Sequence, residues 1–219
     1  MRHLTTLIAT CLFAVVSANA AAAKHDKPAE AKTNSDPCTL LDWQDIQSLG
    51  AKKETNISST NWNEEKIADA IPGSKLFTNL CAATMKTEAG RTAVTLSFDV
   101  FKGKVSVQQV KDWLEAAAKR QAVEGDLDVK KMVIEDAQCE TGRTEVDFSG
   151  ENGEEVPKYI EYYVACDKQI GIKHVAVNVQ ATEGRKAELP TPEQAKALLD
   201  KSVARMKKTS FDAPEIAAK

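Results

Sequence analysis

Apolar and polar residues alternate along two neighbouring stretches in the first half of the chain. The stretch 76–86 places Phe77, Cys81 and Met85 on one side of an extended backbone. In the stretch 92–101, the residues Val94, Leu96, Phe98 and Val100 alternate with Ala93, Thr95, Ser97 and Asp99. Strict alternation is typical of a strand with one buried face. Since the turn-like sequence TEAG separates the two stretches, the pattern predicts a β-hairpin.

The second half of the chain contains four further stretches of extended character. They are KMVIED, RTEVDF, KYIEYYVAC and GIKHVAVNVQA, and we expect turns at ETG, ENGE and DKQIG between them. In the third stretch Cys166 shares a face with apolar residues, so we expect it to point inward. In the fourth, three valines face one way and His174 lies on the more polar side.

A short helix is predicted where the ordered part of the chain begins, within SDPCTLLDWQDIQSLGA. It runs from Trp43 to Leu49, with Asp42 as its N-cap and Gly50 after its last turn. The polar region 52–75 that follows is ambiguous, and a short helix over Glu64–Ala70 is one interpretation of it.

Two longer helices follow from apolar spacing and from helix-end signals. The first begins at Ser106, and Trp113 flanks its apolar stripe, a position typical of core packing. The second has Thr191 as its N-cap, Pro192 in the first turn and Gln194 completing a capping box.

The order of elements is therefore helix, two strands, helix, four strands and helix. Strands joined by short turns pair antiparallel, so the predicted fold class is α+β, an antiparallel β-sheet with helices packed on one face. We expect a single α+β domain at 37–208 and a flexible tail at 209–219.

The first twenty residues have the features of a secretory signal peptide. A basic start at Arg2 precedes an apolar core, and Ala18-Asn19-Ala20 fits the small-residue cleavage pattern. Residues 21–36 contain no aromatic or branched aliphatic side chain, which predicts a disordered linker (1–20 signal peptide, 21–36 linker). We therefore expect a periplasmic or secreted protein without an integral membrane span.

Cys11 raises a second possibility for the leader, namely lipid attachment at a lipobox-like IATC sequence. The apolar run continues beyond Cys11, and a threonine precedes it where a small Gly or Ala is usual. Lipid anchoring is therefore the minority alternative.

The remaining four cysteines are even in number, which in an exported chain predicts two disulfides. They are Cys38, Cys81, Cys139 and Cys166. Three connectivities are open, and order along the chain favours Cys38–Cys81 with Cys139–Cys166. Zinc is a weaker interpretation because no C-x-x-C pair occurs and structural zinc sites rely on such pairs.

Composition and motifs favour a chain without catalysis, cofactor or bound metal. The chain has 29 Lys and Arg against 32 Asp and Glu, a formal net charge of −3, and no dense basic block that would indicate nucleic-acid binding. No nucleophile elbow, phosphate-binding glycine loop or dinucleotide motif is present. We interpret His174 as a strand residue rather than a general base, and the pairs Glu64-Glu65 and Glu154-Glu155 as solvated surface.

The opening motif resembles that of a family of bacterial cell-envelope proteins of unknown function, many of them actinobacterial lipoproteins. In that family the domain opens with Asp-Pro-Cys-x-Leu-Leu and a short helix ending in Leu-Gly. The matching positions here are Asp36, Pro37, Cys38, Leu40, Leu41, Asp42, Leu49 and Gly50, with Cys81 in the first core strand. The resemblance implies a PsbP-like fold, a Cys38–Cys81 pair and binding rather than catalysis.

The expected function is that of an exported, non-catalytic cell-envelope protein that binds a protein partner or an envelope ligand. A carrier of a small apolar ligand and a carboxylate-dependent hydrolase are the alternatives. An exposed aromatic patch around Trp62, Tyr159 or Tyr163 would favour partner binding. An apolar cavity between sheet and helices would favour the carrier, and convergent carboxylates in a cleft would favour the hydrolase.

Overall fold

The computed structural model describes most of the chain after the predicted leader. The described residues are 36–49, 55–65, 67, 70–121, 126–146, 159–209 and 211–213. The predicted signal peptide, nearly all of the predicted linker, and residues 214–219 lie outside them. So do Cys11, Gly50, Glu154 and Glu155.

Within the described residues, eight antiparallel strands form one sheet, in the spatial order β1-β3-β4-β8-β7-β6-β5, with β2 also pairing with β3. The strands are β1 (Asn56–Ser59), β2 (Asn63–Glu65), β3 (Ser74–Thr87), β4 (Gly90–Gly103), β5 (Asp126–Ile134), β6 (Ala137–Val146), β7 (Tyr159–Ile170) and β8 (Lys173–Thr182). The helices are α1 (Trp43–Ser48), α2 (Val107–Gln121) and α3 (Pro192–Thr209). The α+β class with an antiparallel sheet is thereby confirmed.

The hairpin predicted in the first half is present, and its two strands pair over their full lengths from Ser74–Gly103 to Thr87–Gly90. In the second half the turns differ from the expectation at ETG and at DKQIG, and ENGE lies outside the described residues. Strand β7 continues through DKQI, and the chain turns at Gly171 and Ile172. Strand β6 runs straight through the sequence ETG, and the chain reverses earlier, at Glu135 and Asp136, with Glu135 at a φ of 55°. Glu64 and Glu65 lie in β2, so a helix over this pair is wrong.

The helix ends follow the local signals closely. The Asp42 side chain accepts a hydrogen bond from the Gln44 backbone N–H at 3.0 Å and caps α1. At α3 the capping box is formed, because the Thr191 backbone N–H donates to Gln194 Oε1 at 2.8 Å and the Gln194 backbone N–H donates to Thr191 Oγ1 at 3.4 Å. These contacts span three residues or fewer, which is why sequence alone can predict them.

The main core lies against one face of the sheet, here called face A, which carries Cys81, Leu96, Phe98, Cys166 and Val177. These side chains are buried in one apolar cluster. Leu40, Leu41 and Ile46 from the 3-10 turn (Pro37–Leu40), its C-cap and α1 join the cluster, with Ala195, Leu198, Leu199, Val203 and Met206 from α3. Face A is therefore a sheet surface covered by α1 and α3.

Helix α2 packs differently, on the opposite face, here called face B. Leu76 and Phe101 point to face B near the end of the hairpin, and they form a second apolar cluster with Val110 of α2. Trp113 meets Phe101 edge-on, with ring centroids 5.4 Å apart, as its interpretation as a core residue predicts. The prediction that helices pack on one face of the sheet is therefore correct for α1 and α3 only. Helix α2 packs on face B because Phe101, directly after Val100, is an apolar residue where the alternation would place a polar one.

Both disulfides are formed, Cys38–Cys81 and Cys139–Cys166. The first joins the 3-10 turn at the start of the domain to β3, and the second joins β6 to β7 at residues directly opposite each other. With sequence separations of 43 and 27 residues, the chain-entropy model assigns them about 4 and about 3.5 kcal/mol.

The ordered core extends beyond the predicted domain end at residue 208, and the expected flexible tail is wrong for residues 211–213. Phe211 is 1% exposed and stacks at 4.8 Å from Phe98 and 5.5 Å from Trp62. Ala213 is buried as well, and its carbonyl accepts a hydrogen bond from Lys102 Nζ at 2.7 Å. An aromatic side chain two residues after the end of α3 was the available signal.

Ion pairs fasten α1 to α3 at the edge of the core. Asp45 Oδ1 lies 2.7 Å from Lys201 Nζ, and Asp45 Oδ2 lies 2.6 Å from Arg205 Nη2. Burial acts to raise the pKa of Asp45, but the hydrogen bonds and charges of Lys201 and Arg205 lower it overall.

No helix within the described part of the chain is long and apolar enough to cross a membrane.

Candidate binding face

The centre of face B is lined by small and uncharged polar side chains. The strand register brings Ser97 beside Ala176 and Thr95 beside Asn178, with Ala165 next to Asn178 on the following strand. All five residues are half-buried. This part of the sheet therefore differs from face A, where the side chains at the alternate positions are buried.

The exposure of face B is not uniform. Ala82, Ala93 and Tyr163 point to the same face and are buried. The Tyr163 ring lies over Gly142 of β6, so a methyl group at residue 142 would meet the Tyr163 hydroxyl oxygen at 2.7 Å. Gly142 thus makes room for a neighbouring ring in the middle of a strand, whereas the sequence pattern suggested a turn.

One end of face B carries a charged cluster centred on His174. Its Nδ1 lies 3.0 Å from Asp99 Oδ2, and its Nε2 lies 3.0 Å from Asp167 Oδ2. Asp99 lies directly opposite His174 on β4, and Asp167 comes from β7 on the other side. The exposed fractions of the side chains of His174, Asp99 and Asp167 are 13%, 20% and 42%.

The two aspartates keep His174 in its charged form. Burial by itself would lower the pKa of His174, but the hydrogen bonds to Asp167 and Asp99 and the charges of both carboxylates raise it to about 9. At neutral pH both ring nitrogens therefore carry protons and donate to carboxylates. A histidine in this state has no free nitrogen with which to accept a proton from a substrate.

Glu65 adds a further carboxylate to this acidic end. It lies on β2, opposite Leu76, and its side chain points to face B. Burial and the charge of Asp99 raise the pKa of Glu65, and a hydrogen bond with Thr78 acts in the opposite direction. Glu64, its neighbour in sequence, points to the other face and pairs with Lys75 at 2.8 Å, where both side chains are more than 40% exposed.

The other end of face B is basic. Lys86 and Arg91 lie directly opposite each other on β3 and β4, next to the hairpin turn. Together with Gly90, Tyr159 and Thr182 they line a shallow depression. Arg91 also forms an ion pair with Glu161, whose carboxylate is only 8% exposed.

The floor of this depression is held by hydrogen bonds between β4 and the end of β8. The Arg91 backbone N–H donates to Thr182 Oγ1 at 3.0 Å. Gly90 has a φ of 130°, and a methyl group there would meet Thr182 Oγ1 at 2.1 Å, so this position requires glycine. Burial and, secondly, the charge of Glu161 raise the pKa of Tyr159, so its phenol keeps its proton at neutral pH.

The three aromatic residues around any of which an exposed patch would favour partner binding lie apart. Trp62 packs on Phe211 at the core of face A, and Tyr163 is buried on face B. Tyr159 lies at the basic end of face B. The structure therefore does not bring them together as one surface.

The cluster of Asp99, His174 and Asp167 was not predicted as a unit. The alternation does place Asp99 and His174 on the polar sides of their strands, which was the available signal. It does not say which strands are neighbours, and 75 residues separate Asp99 from His174. Among the described residues, no group of three His, Cys, Asp or Glu side chains is arranged to hold a metal ion.

Similarity to known proteins adds nothing to this description of the fold and its surfaces. No family model, curated protein or solved structure matches this chain.

Proposed function

We propose that the protein is an exported, non-catalytic cell-envelope protein that binds a protein partner or an envelope ligand through face B. Export is supported by the signal-like first twenty residues and by the two disulfides, since stable disulfides are typical of oxidising compartments outside the cytosol. The proposal has two parts, a location and a binding surface, and each can be tested separately.

The observation that carries the binding role is the contrast between the two faces of one sheet. On face A the alternate residues of β4 and β8, such as Leu96 and Val177, are fully buried under helices. On face B the intervening residues, such as Thr95 and Ala176, are only half-buried and lie between an acidic and a basic end. A sheet centre made of small polar side chains can be approached closely by another molecule without desolvating a charge.

The state of His174 supports a role without catalysis. Carboxylates do converge on face B, which is what a hydrolase would need, but Asp99 and Asp167 are both hydrogen-bonded to the imidazolium. A general base needs a nitrogen or carboxylate oxygen within reach of a substrate proton and in its unprotonated form. His174 is engaged on both nitrogens, so its cluster is better suited to holding β4, β8 and β7 together.

The carrier alternative has less support from the region between sheet and helices. Phe98, Leu199 and Phe211 are buried there in one cluster, and Phe98 and Phe211 are in ring contact. Side chains packed directly on one another leave this layer occupied by the protein itself.

The binding role is tested by capture of partners from envelope extract, with native mass spectrometry of the eluted complex. The informative variant is Thr95→Arg, which places a long charged side chain at the centre of face B. The matched control is Lys207→Glu on the exposed side of α3, which changes charge away from the sheet. We expect wild type and the control to retain the same complex and Thr95→Arg to lose it while keeping the wild-type unfolding temperature.

Two results would contradict the proposal. The first is a complex that Thr95→Arg retains and Lys207→Glu loses, because the binding surface would then lie on the helical side. The second is recovery of the chain in the cytosolic fraction with an uncleaved leader, which would remove the export part.

A further inference from the structure

We propose that the depression at the basic end of face B binds a phosphate group, either as free phosphate or as the headgroup of an anionic lipid. The depression is lined by Lys86, Gly90, Arg91, Tyr159 and Thr182. The inference rests on the proposed binding role of face B, and it adds the chemistry of one ligand group and its place on that face.

The first argument is the arrangement of the two cations. Lys86 and Arg91 are directly opposite each other in the β3–β4 pairing. In an antiparallel pair the Cβ atoms of opposite residues lie roughly 4.5–5.5 Å apart, so two like charges in this position repel each other. Such a pair destabilises a hairpin end unless something negative lies between or beside the two side chains. Glu161 beside Arg91 relieves part of this repulsion, and an oxyanion in the depression would neutralise Lys86 as well.

The second argument is the local charge balance. The buried carboxylate of Glu161 pairs with Arg91 and balances its charge. Within the described part of the chain Lys86 forms no ion pair, and it is exposed at the rim. Among the described residues, no carboxylate balances the charge of Lys86, and a phosphate group in the depression would do so.

The third argument is the supply of hydrogen-bond donors without bulk. Tyr159 lines the depression beside the two cations, and Gly90 contributes no side chain. The Thr182 hydroxyl donates to the Arg91 carbonyl oxygen at 3.4 Å and accepts from the Arg91 backbone N–H, so it belongs to the floor and not to the donors for a ligand. The phenol of Tyr159 remains protonated at neutral pH, since its pKa is raised. Phosphate oxygens accept hydrogen bonds from ammonium, guanidinium and hydroxyl groups, which is the set of donors present here.

The test is a titration of the purified, isotope-labelled protein with inorganic phosphate at low ionic strength, followed by amide chemical shifts. We expect shifts at Gly90, Arg91 and Thr182 that chloride at equal ionic strength does not produce. Lys86→Gln should weaken phosphate binding about tenfold, because it removes a hydrogen bond between charged groups. Lys104→Gln, which removes an exposed lysine at the far end of β4, should leave the affinity unchanged.

A second arm separates the two sources of phosphate. Co-sedimentation is measured with vesicles of equal parts phosphatidylglycerol and phosphatidylcholine, and with vesicles of phosphatidylcholine alone. Binding of inorganic phosphate without vesicle binding assigns the site to a free ion. Vesicle binding that requires phosphatidylglycerol and is lost in Lys86→Gln assigns it to a lipid headgroup.

The inference is overturned if inorganic phosphate shifts none of the three amides and the vesicles that contain phosphatidylglycerol sediment no more protein than the neutral ones. It is also overturned if Lys86→Gln and Lys104→Gln bind phosphate or vesicles equally well. Because Thr95 lies away from the depression, loss of a captured partner in Thr95→Arg together with absent phosphate binding would leave the binding role standing and remove only the phosphate site.

Discussion

Faces A and B of the sheet are made by the same strands, yet their chemistry is different. On β4 the residues of face A, Leu96 and Phe98, are buried in the main core, while Ser97 between them is half-buried on face B. Face A is covered by α1 and α3, which the ion pairs of Asp45 join, and a disulfide ties the 3-10 turn before α1 to β3. Face A therefore carries the main apolar core, whereas the centre of face B consists of small and polar side chains that are only partly buried.

Face B is itself divided, since its two ends carry opposite charge. The acidic end contains Glu65, Asp99 and Asp167 around the imidazolium of His174, and the basic end contains Lys86 and Arg91. Charged groups are thus kept at the margins of the face, and its centre is small and uncharged.

The largest expected effect on stability comes from removing a large buried side chain at the centre of face A. Phe98→Ala should lower the free energy of unfolding by about 3–5 kcal/mol, because the ring is fully buried and packs on Phe211. Urea denaturation followed by circular dichroism measures it. The matched change on face B, Ser97→Ala, should stay within about 0.5 kcal/mol of wild type. Equal effects at the two neighbouring positions would mean that the two faces do not differ in the way described.

The next largest effect concerns the acidic end of face B, where the free energy of unfolding should depend on pH. His174 has a pKa of about 9 in the folded protein against 6.5 as its ordinary value, so its contribution to stability is present in full below pH 6.5 and is lost as the pH rises through about 9. This contribution amounts to about 3 kcal/mol.

The measurement is urea denaturation of wild type and His174→Gln across this range of pH. Glutamine keeps hydrogen-bonding capacity but does not titrate, so the difference in stability between the two proteins should shrink as the pH rises. A difference that stays constant with pH would show that the charge of His174 does not contribute to holding β4, β8 and β7 together.

The smallest effect concerns the buried part of face B. Gly142→Ala should destabilise the protein by about 1–3 kcal/mol, because the added methyl group would lie 2.7 Å from the Tyr163 hydroxyl oxygen and 2.8 Å from the ring carbon that bears it. In Tyr163→Leu, where the ring is absent, the same Gly142→Ala change should cost clearly less. Thermal unfolding of the four proteins of this double-mutant cycle gives the coupling, and additive effects would contradict the contact.

Local signals in the sequence predicted the helix ends and the first hairpin well. Asp42 caps α1, Thr191 and Gln194 form the capping box of α3, and β3 and β4 pair across the expected turn. Each of these contacts involves residues close in sequence or a regular alternation, and both are readable from the chain.

The same local signals misplaced features whose cause lies elsewhere in the fold. Gly142 suggested a turn, but its lack of a side chain serves Tyr163 on the next strand. A flexible tail was predicted after Lys208, but the Phe211 ring contacts the rings of Phe98 and Trp62. In both cases the partner is more than twenty residues away along the chain.

The sequence by itself determined the α+β class, the alternation that makes one face apolar, and the even set of cysteines with Cys38–Cys81 and Cys139–Cys166 favoured by chain order. Only the tertiary structure decided that β4, β8 and β7 are neighbours, and hence that Asp99 and Asp167 enclose His174 and that Tyr159 and Thr182 complete the depression beside Lys86 and Arg91. The physical reason is that burial of an apolar face is encoded residue by residue, whereas the composition of the opposite face depends on which strands pair and in which register.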